Sequence, residues 1–258
     1  MKLKEQLVKN QQQSDSRPHI REEDSTYVTN CFWQIGNTTG SWPLAEVDAT
    51  ELPAIMRRRL SPMGRRVVGM LYGILRPLTK QDIPWVVSCR HGDTARMVNL
   101  LTSLARKELI SPTDFSMSVH NAIIGSVSIA TGNQKMHTSL SGGAATFEAG
   151  LLEALALQKV QKNTIGYLYY DDPLPQHYDE IFEEDSLESC TVVILDNHGR
   201  ESSFKGESRA LSIDFVRDDK DLLDEEIKGV IPFLKFVQSN EKNYSIYVPG
   251  GAILLGRS

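Results

Sequence analysis

Cysteine is scarce in this sequence, and its three cysteines stand far apart, at Cys31, Cys89 and Cys190. Their number is odd and no CxxC pair occurs, so the sequence predicts neither a disulfide framework nor a cysteine-based metal site. Unpaired cysteines of this kind are typical of a reducing compartment. We therefore expect a cytoplasmic protein.

Long hydrophobic runs and an excess of positive charge are also missing. No uninterrupted apolar segment approaches the roughly 18 residues that a membrane-spanning helix needs, and the N-terminus lacks the apolar core of a signal peptide. The net charge is −5 and the pI is about 5.7, whereas a nucleic-acid-binding surface is normally basic. We therefore expect no membrane span and no nucleic acid partner.

Composition and hydrophobic patterning divide the chain into a tail and one domain. Residues 1–25 are polar and rich in glutamine, which predicts a flexible tail. Residues 26–258 are long enough to fold as a single domain with a substantial core. Strand-like and helix-like segments alternate as far as residue 172, which predicts an α/β core with crossover connections. Residues 173–258 then supply two strand-like segments that we expect to pair with each other, a helix despite Pro232 and a final β-like segment.

The stretch "HTSLSGGAATFEAGLLEAL", residues 137–155, has the pattern of a strand, a glycine turn and a helix. Such a turn directs the N–H groups of the first helical turn toward one place, where the helix dipole favours negative charge. A cysteine there would be an activated nucleophile. This sequence has Gly142 and Gly143 followed by alanine, and the hydroxyls of Ser141 and Thr146 have no base identifiable from the sequence. The pattern predicts a nucleophile elbow without a nucleophile.

Five segments carry a family resemblance when they are taken in order. They are "WPLAEVDATELPAIMRRRLSPMGRR", "SCRHGD", "LISPTDFSMSVHNA", "GSVSIATGN" and "TSLSGGAATFEAGLLEALAL". Together they resemble the β-ketoacyl synthase-like proteins of the chain-length-factor type, found in aryl polyene and related type II polyketide pathways. The resemblance covers residues 27–172. It implies a thiolase-like (ketosynthase-like) α/β fold whose first βαβαβ half, residues 26–172, is largely complete and whose second half, residues 173–258, is truncated.

The resemblance also implies that the chain lacks catalytic residues. The catalytic cysteine of a ketosynthase corresponds to Ala144 here, with Ser141 or Ala145 as alternatives in the alignment register, and none of the three is cysteine. Two further catalytic histidines come from the second half of a ketosynthase. In this chain, His198 is the sole histidine beyond residue 180. The elbow is thus expected to hold a vacant nucleophile position.

The function implied by the resemblance is that of a non-catalytic subunit. It would form a heterodimer with a ketosynthase, or a dimer of such heterodimers, and shape the acyl tunnel while a polyene or polyketide chain is elongated on an acyl carrier protein. No cofactor is expected. Two alternatives stay open: a malonyl-carrier decarboxylase or acyltransferase without the cysteine, and a homodimeric acyl-binding scaffold.

In this family, the helix after the RHG-like turn extends toward the partner's tunnel. The implied tunnel-lining or partner-facing residues are Thr94, Met97, Val98, Leu101, Phe115 and Met117. An ordinary core face is the alternative for each of them. The motif histidines His91 and His120 have no nucleophile to serve, so we expect them to fix loops by hydrogen bonds. His91 and Asp93 have the wrong spacing for a metal site, and no metal is expected.

One strong basic cluster interrupts this acidic chain, and it consists of Arg57, Arg58, Arg59, Arg65 and Arg66. Acyl carrier proteins are acidic, so such a cluster is a candidate docking site for one. A solvated helix surface, or ion pairs with acids such as Glu51, is the alternative.

Overall fold

The computed structural model describes the greater part of the chain, namely residues 25–43, 52–75, 82–178, 188–197, 211–217 and 229–257. The predicted tail apart from Ser25 lies outside these ranges, as do Glu51 and His198. Within them, no helix combines the length and the hydrophobicity that crossing a bilayer requires.

Nine strands of the described residues form one mixed sheet. In chain order they are β1 (Thr26–Ile35), β2 (Thr38–Trp42), β3 (Trp85–Ser88), β4 (His137–Leu140), β5 (Ile165–Asp171), β6 (Ser189–Asp196), β7 (Leu211–Arg217), β8 (Asn243–Val248) and β9 (Gly251–Arg257). Across the sheet the order is β4-β3-β5-β6-β1-β7-β9-β8, and β2 forms a hairpin with β1. β3 runs parallel to β4 and β5, whereas the other pairs are antiparallel.

Seven α-helices occur among the described residues. They are α1 (Ala54–Arg57), α2 (Pro62–Leu75), α3 (Thr94–Ala105), α4 (Pro112–Met117), α5 (Ala122–Thr131), α6 (Thr146–Gln161) and α7 (Val230–Gln238). Pro62 occupies the first position of α2, where a missing N–H costs no helical hydrogen bond. Pro232 lies in the first turn of α7 for the same reason, so the helix predicted there is confirmed.

The sheet separates two hydrophobic clusters, which confirms the predicted α/β class. On one face, α6 and α7 bury side chains such as Phe147, Leu151 and Phe233 against the strands. On the other face, α2 and α5 bury side chains such as Leu71 and Ile124. The parallel strands β3 and β5 lie between these layers, and almost every one of their residues is buried on one side or the other.

One expectation about packing was wrong. β6 and β7 do not pair with each other, because β1 lies between them and pairs with both. The long connection after β6 allows this insertion, which a local pattern does not reveal. In α5, a Cβ at Gly125 would have no atom within 4 Å, so α5 does not pack closely through this glycine. The close approach is at Gly64 of α2, where a Cβ would lie 3.0 Å from Ile123 Cδ1.

Candidate functional site

The elbow (residues 141–146) follows β4 at the edge of the sheet. Gly143 has a φ of +60°, which L-residues rarely adopt. A Cβ at Gly142 would lie 3.0 Å from the Cβ of Ala149 and 3.2 Å from the Ala145 carbonyl oxygen. The two glycines are therefore required by the turn itself. Residues Gly143–Ala145 form a short 3₁₀ turn that leads into α6, and Ala144 is exposed at its centre.

The hydroxyl groups of the elbow are engaged in holding the turn. Ser141 Oγ donates to the Arg90 carbonyl at 3.1 Å. Thr146 Oγ1 donates to the Gly143 carbonyl at 2.7 Å and accepts the N–H of Gly142 at 3.0 Å. Each hydroxyl proton is directed at a backbone carbonyl, and a carbonyl cannot act as a general base. The geometry therefore gives both side chains a structural role.

The thiols lie in the hydrophobic interior and not at the elbow. Cys31, Cys89 and Cys190 are all buried and unpaired. Burial raises the pKa of the Cys89 thiol to about 12, an effect that Asp171 reinforces and that hydrogen bonds from Gly92 and Tyr170 oppose. Burial likewise raises the pKa of Cys190 to about 12 and that of Cys31 further. At neutral pH these thiols are protonated, and a protonated thiol is a poor nucleophile.

A buried network of hydrogen bonds supports the elbow by joining α6 to the strands β3 and β5. The hydroxyl of Tyr167 donates to the Phe147 carbonyl at 2.7 Å, and Ser88 Oγ lies 2.8 Å from the same hydroxyl and so donates to it. A Cβ at Gly150 would come within 2.6 Å of both the Tyr167 hydroxyl and Ser88 Oγ. We call these four residues the elbow floor. The sequence pattern did not reveal these four residues, although a glycine within the strongly helical "FEAGLLEALAL" was a signal.

Glu148 connects the elbow helix to α7 and was also missed. Its side chain is 1% exposed, and its Oε1 accepts the N–H of Gly229 at 2.7 Å. Its Oε2 has no hydrogen-bond partner among the described residues. Burial raises the pKa of this carboxyl, and the N–H groups that it accepts oppose the rise. Nothing in the sequence pattern distinguishes this glutamate from an exposed one.

The RHG turn (residues 89–93) is anchored by Asp171 and His120. Burial raises the pKa of Asp171 to about 6, while the N–H groups of Asp172 and His91 and the charge of Arg90 lower it. His120 Nε2 lies 2.9 Å from the Cys89 carbonyl oxygen, so the ring donates there. This contact is of the loop-fixing kind that we expected for the histidine.

The helices α3 and α4 carry apolar side chains that none of the described residues covers. Neither helix contains a buried residue. Met97, Leu101 and Phe115 are 40%, 53% and 64% exposed, respectively, which contradicts the core-face alternative for them. Of the other candidates, Thr94, Val98 and Met117 are half-buried, and Met117 packs against the cluster beneath. We call the exposed apolar side of these helices the α3–α4 surface.

The five arginines of the basic cluster differ in their exposure and contacts. Arg57, Arg58, Arg59 and Arg65 are exposed, and Arg65 Nε donates to the Leu60 carbonyl. Arg66 instead forms an ion pair with Glu188. Its charge is thereby neutralised locally, so the cluster offers four exposed guanidinium groups and not five. Among the described residues, no group of three or more histidine, cysteine, aspartate or glutamate side chains is arranged to hold a metal ion.

Comparison with known proteins gives a family and a fold. A family profile described as "Beta-ketoacyl synthase, N-terminal domain" matches residues 33–250. A chain from the structure "Ketosynthase (ApeO) in Complex with its Chain Length Factor (ApeC) from Xenorhabdus doucetiae" matches with a TM-score of 0.62 and 25% identity, covering 83% of this chain and 84% of that chain. The two chains are therefore of similar length.

A second solved structure agrees in fold. A chain of "The ishigamide ketosynthase/chain length factor" matches with a TM-score of 0.52 and 12% identity, covering 76% of this chain and 68% of that chain. No curated protein sequence gave a match. The predicted thiolase-like fold is confirmed, and it is truncated relative to full ketosynthases.

Proposed function

Since this chain belongs to the family of β-ketoacyl synthase N-terminal domains, we propose that it is a non-catalytic, chain-length-factor-like subunit of a ketosynthase complex. The observation that carries the proposal is Ala144, which stands exposed at the centre of a fully formed elbow. In this proposal, the elbow has a structural role and supports a partner's acyl tunnel.

The chemistry of condensation explains why the alanine matters. A condensing enzyme first moves an acyl group from a carrier thioester to its own thiolate, which forms one thioester and releases the carrier thiol. The methyl group of Ala144 has no lone pair and cannot form that bond. The nearby hydroxyls are bound to backbone carbonyls, and the thiols are buried with raised pKa values. The chain accordingly depends on a partner for this step.

Two exposed features of the described chain favour association with a ketosynthase. Among the described strands, β4 lies at one end of the sheet and pairs only with β3, so its other edge is open to a second strand. The α3–α4 surface adds uncovered apolar area, which is typical of a partner-binding site. The ApeO–ApeC structure is described as a ketosynthase with its chain length factor. An obligate interface of this kind buries about 2,000 Å² or more.

The tunnel-shaping role falls to the α3–α4 surface in this proposal. Met97, Leu101 and Phe115 project from it as bulky apolar groups and would contact an extended acyl chain or the partner's wall. Thr94, Val98 and Met117 lie deeper and would support them. The four exposed guanidinium groups of the basic cluster would attract the acidic carrier protein by long-range electrostatics.

Co-expression tests the partner. Each ketosynthase encoded in the same genome is expressed with this chain, and one of them should co-purify as a stoichiometric complex. Leu101→Glu should weaken that complex by at least about 100-fold, because it places a charge in an apolar interface. Val216→Glu is the matched control, since Val216 is similarly exposed (48%) but lies on β7, far along the sheet. A stable monomer that associates with none of the ketosynthases would end the proposal.

Mass spectrometry tests whether the chain alone catalyses acyl transfer or decarboxylation. The purified chain is incubated with acyl-carrier and malonyl-carrier protein, and both proteins are analysed. We expect no acyl adduct on this chain and no acetyl-carrier product. An adduct formed without a second subunit would refute the non-catalytic role, and acetyl-carrier would favour a decarboxylase. A homodimer that binds an acyl chain without any ketosynthase would favour the scaffold alternative.

Carrier docking has a separate test. Arg57, Arg58 and Arg59 are replaced together by glutamate, and the affinity of the complex for its carrier protein is measured at low and moderate salt. The loss should be largest at low salt, because exposed charges are screened as ionic strength rises. Unchanged affinity would show that the basic cluster is not part of the docking site. The proposed role as a ketosynthase subunit would be unaffected.

A further inference from the structure

We propose that Arg96 is a positioning residue that fixes α4 relative to α3 and thereby sets the shape of the α3–α4 surface. The inference rests on the proposed function in one respect: if this surface forms part of an acyl tunnel wall, then Arg96 influences product length without touching the acyl chain.

Arg96 lies in the first turn of α3 and makes three contacts at once, one to the cap of its own helix and two to other elements. Its Nε lies 2.9 Å from Asp93 Oδ2, at the residue that caps α3. One terminal nitrogen lies 2.5 Å from Asp114 Oδ1, in the first turn of α4. The other donates to the Arg59 carbonyl at 3.0 Å, just beyond the end of α1. The Arg96 side chain is only 11% exposed, so water screens its contact with Asp93 poorly, whereas the contact with Asp114, which is 49% exposed, is screened in part.

Hydrophobic packing contributes little to the placement of these helices. No residue of α3 or α4 is buried, in contrast to α2, α5, α6 and α7. Met117 packs partly against the interior at the end of α4. The position of α4 relative to α3 therefore depends strongly on the ionic contacts of Arg96. These contacts fix the orientation of α4 relative to α3, because the strength of a hydrogen bond depends on its angle.

Arginine suits this position for a geometric reason. Its planar guanidinium group presents donors in several fixed directions, whereas the ammonium group of lysine is a compact point charge. All donors of a lysine lie on a single nitrogen, whereas Arg96 contacts Asp93, Asp114 and the Arg59 carbonyl through three different nitrogens. Without the guanidinium, the two carboxylates would be left without the cation that they share, and repulsion would separate the N-terminal ends of the two helices.

Hydrogen exchange tests the positioning in the chain alone, at low concentration. Arg96→Met should accelerate amide exchange across residues 94–117 by about tenfold or more, because local opening becomes easier. Exchange in α6 should not change. Arg106→Met is the matched control, because Arg106 lies exposed at the opposite end of the same helix. If Arg96→Met left exchange in residues 94–117 as it is in the unaltered chain, the positioning role would be refuted.

Asp114→Asn keeps the test informative if Arg96→Met does not fold. Asp114 is about half exposed, so its replacement should be tolerated while one of the three contacts weakens. Amide hydrogen exchange in the Asp114→Asn variant should rise mainly in α4. Arg96→Lys should give an intermediate increase, since it retains the charge but not the planar geometry. Equal exchange in Arg96→Lys and the unaltered chain would show that charge alone is sufficient and would contradict the argument from geometry.

Product length tests the link to function in the ketosynthase complex. Arg96→Met and Asp114→Asn should broaden or shift the distribution of acyl chain lengths by one or more elongation steps. In Asp114→Asn, the KM for the carrier should stay within about twofold, because Asp114 lies on α4 and outside the basic cluster. An unshifted distribution in a complex that forms normally would refute this link. If no ketosynthase binds but exchange rises as expected, the proposed function fails and the positioning role survives.

Discussion

The elbow floor and the α3–α4 surface are stabilised by opposite means. The floor is a buried network of hydrogen bonds with contacts so close that Gly150 cannot carry a side chain. The α3–α4 surface has no buried residue and is held by the ionic contacts of Arg96. The hydroxyl groups of the elbow floor find their hydrogen-bond partners within this one chain. The surface leaves apolar area uncovered.

This contrast explains how an elbow without a nucleophile can still be useful. Replacing a catalytic cysteine by alanine removes chemistry but leaves the packing requirements of the strand, turn and helix in place. Substitutions in the floor should therefore destabilise the fold, whereas substitutions on the α3–α4 surface should affect association. The predictions below test this division with a common measurement. All three tryptophans are buried, so their fluorescence reports unfolding in urea even at low protein concentration.

The largest effect is expected at Gly150. Gly150→Val should lower the free energy of unfolding by about 3 kcal/mol or more, because its side chain would overlap Tyr167 and Ser88 in a closely packed interior. Gly125→Ala is the matched control, since it also lies within a helix but has open space around it. That variant should gain up to about 1 kcal/mol from helix propensity. Similar responses at both positions would show that the close contacts at Gly150 do not exclude a side chain from the elbow floor.

Asp171 should make stability depend on pH. Its folded pKa of about 6 lies above its ordinary value of 3.8, so the folded chain binds the proton more tightly than the unfolded chain. This contribution is fully present below about pH 4 and is lost as pH rises through 6. Over that interval, the unaltered chain should lose about 3 kcal/mol relative to Asp171→Asn. A stability difference that stays constant between pH 4 and pH 7 would contradict this explanation.

A smaller loss is expected for the hydroxyl network. Tyr167→Phe should cost about 1–2 kcal/mol, because it removes a donor to the Phe147 carbonyl and the acceptor for Ser88. Ser88→Ala in the Tyr167→Phe background should cost less than Ser88→Ala alone, since the serine has already lost its partner. Additive losses would show that the two hydroxyls are not coupled.

The smallest effect on stability is expected on the α3–α4 surface. Leu101→Glu should change the free energy of unfolding of the isolated chain by no more than about 0.5 kcal/mol, because the side chain is already 53% exposed. The same substitution is expected to disrupt the ketosynthase complex. A large loss of stability in the isolated chain would mean that this leucine is covered, and the surface would no longer be available to a partner.

Much of the local structure was predictable from the sequence because it depends on near neighbours. The short apolar run "WVVS" is typical of a strand within a parallel sheet, and the spacing of Phe147, Leu151 and Leu155 is typical of the buried face of a helix, as found in α6. Pro62 marked the start of α2. The glycines of the elbow were also evident, since only a tight turn needs two of them beside an alanine.

The sequence also contains the amphipathic pattern of α3, but it does not show what lies against that helix. Hydrophobic periodicity shows which side of a helix is apolar and says nothing of whether another element covers that side. For this reason, the core-face alternative was reasonable for Met97 and Leu101 and was wrong for the isolated chain. The contacts of Arg96 escaped notice because they join α1, α3 and α4 across an interval that spacing rules do not cover.

By itself, the sequence determined the class of fold, most element types and the absence of sulfur at Ala144, because these follow from residue identity and short-range pattern. The tertiary structure decided that β1 separates β6 from β7, that Arg66 is paired with Glu188 and that Glu148 is buried against α7. Each of these outcomes joins residues distant in the chain. Their free energies depend on which surfaces meet, and that is settled only when the whole sheet assembles.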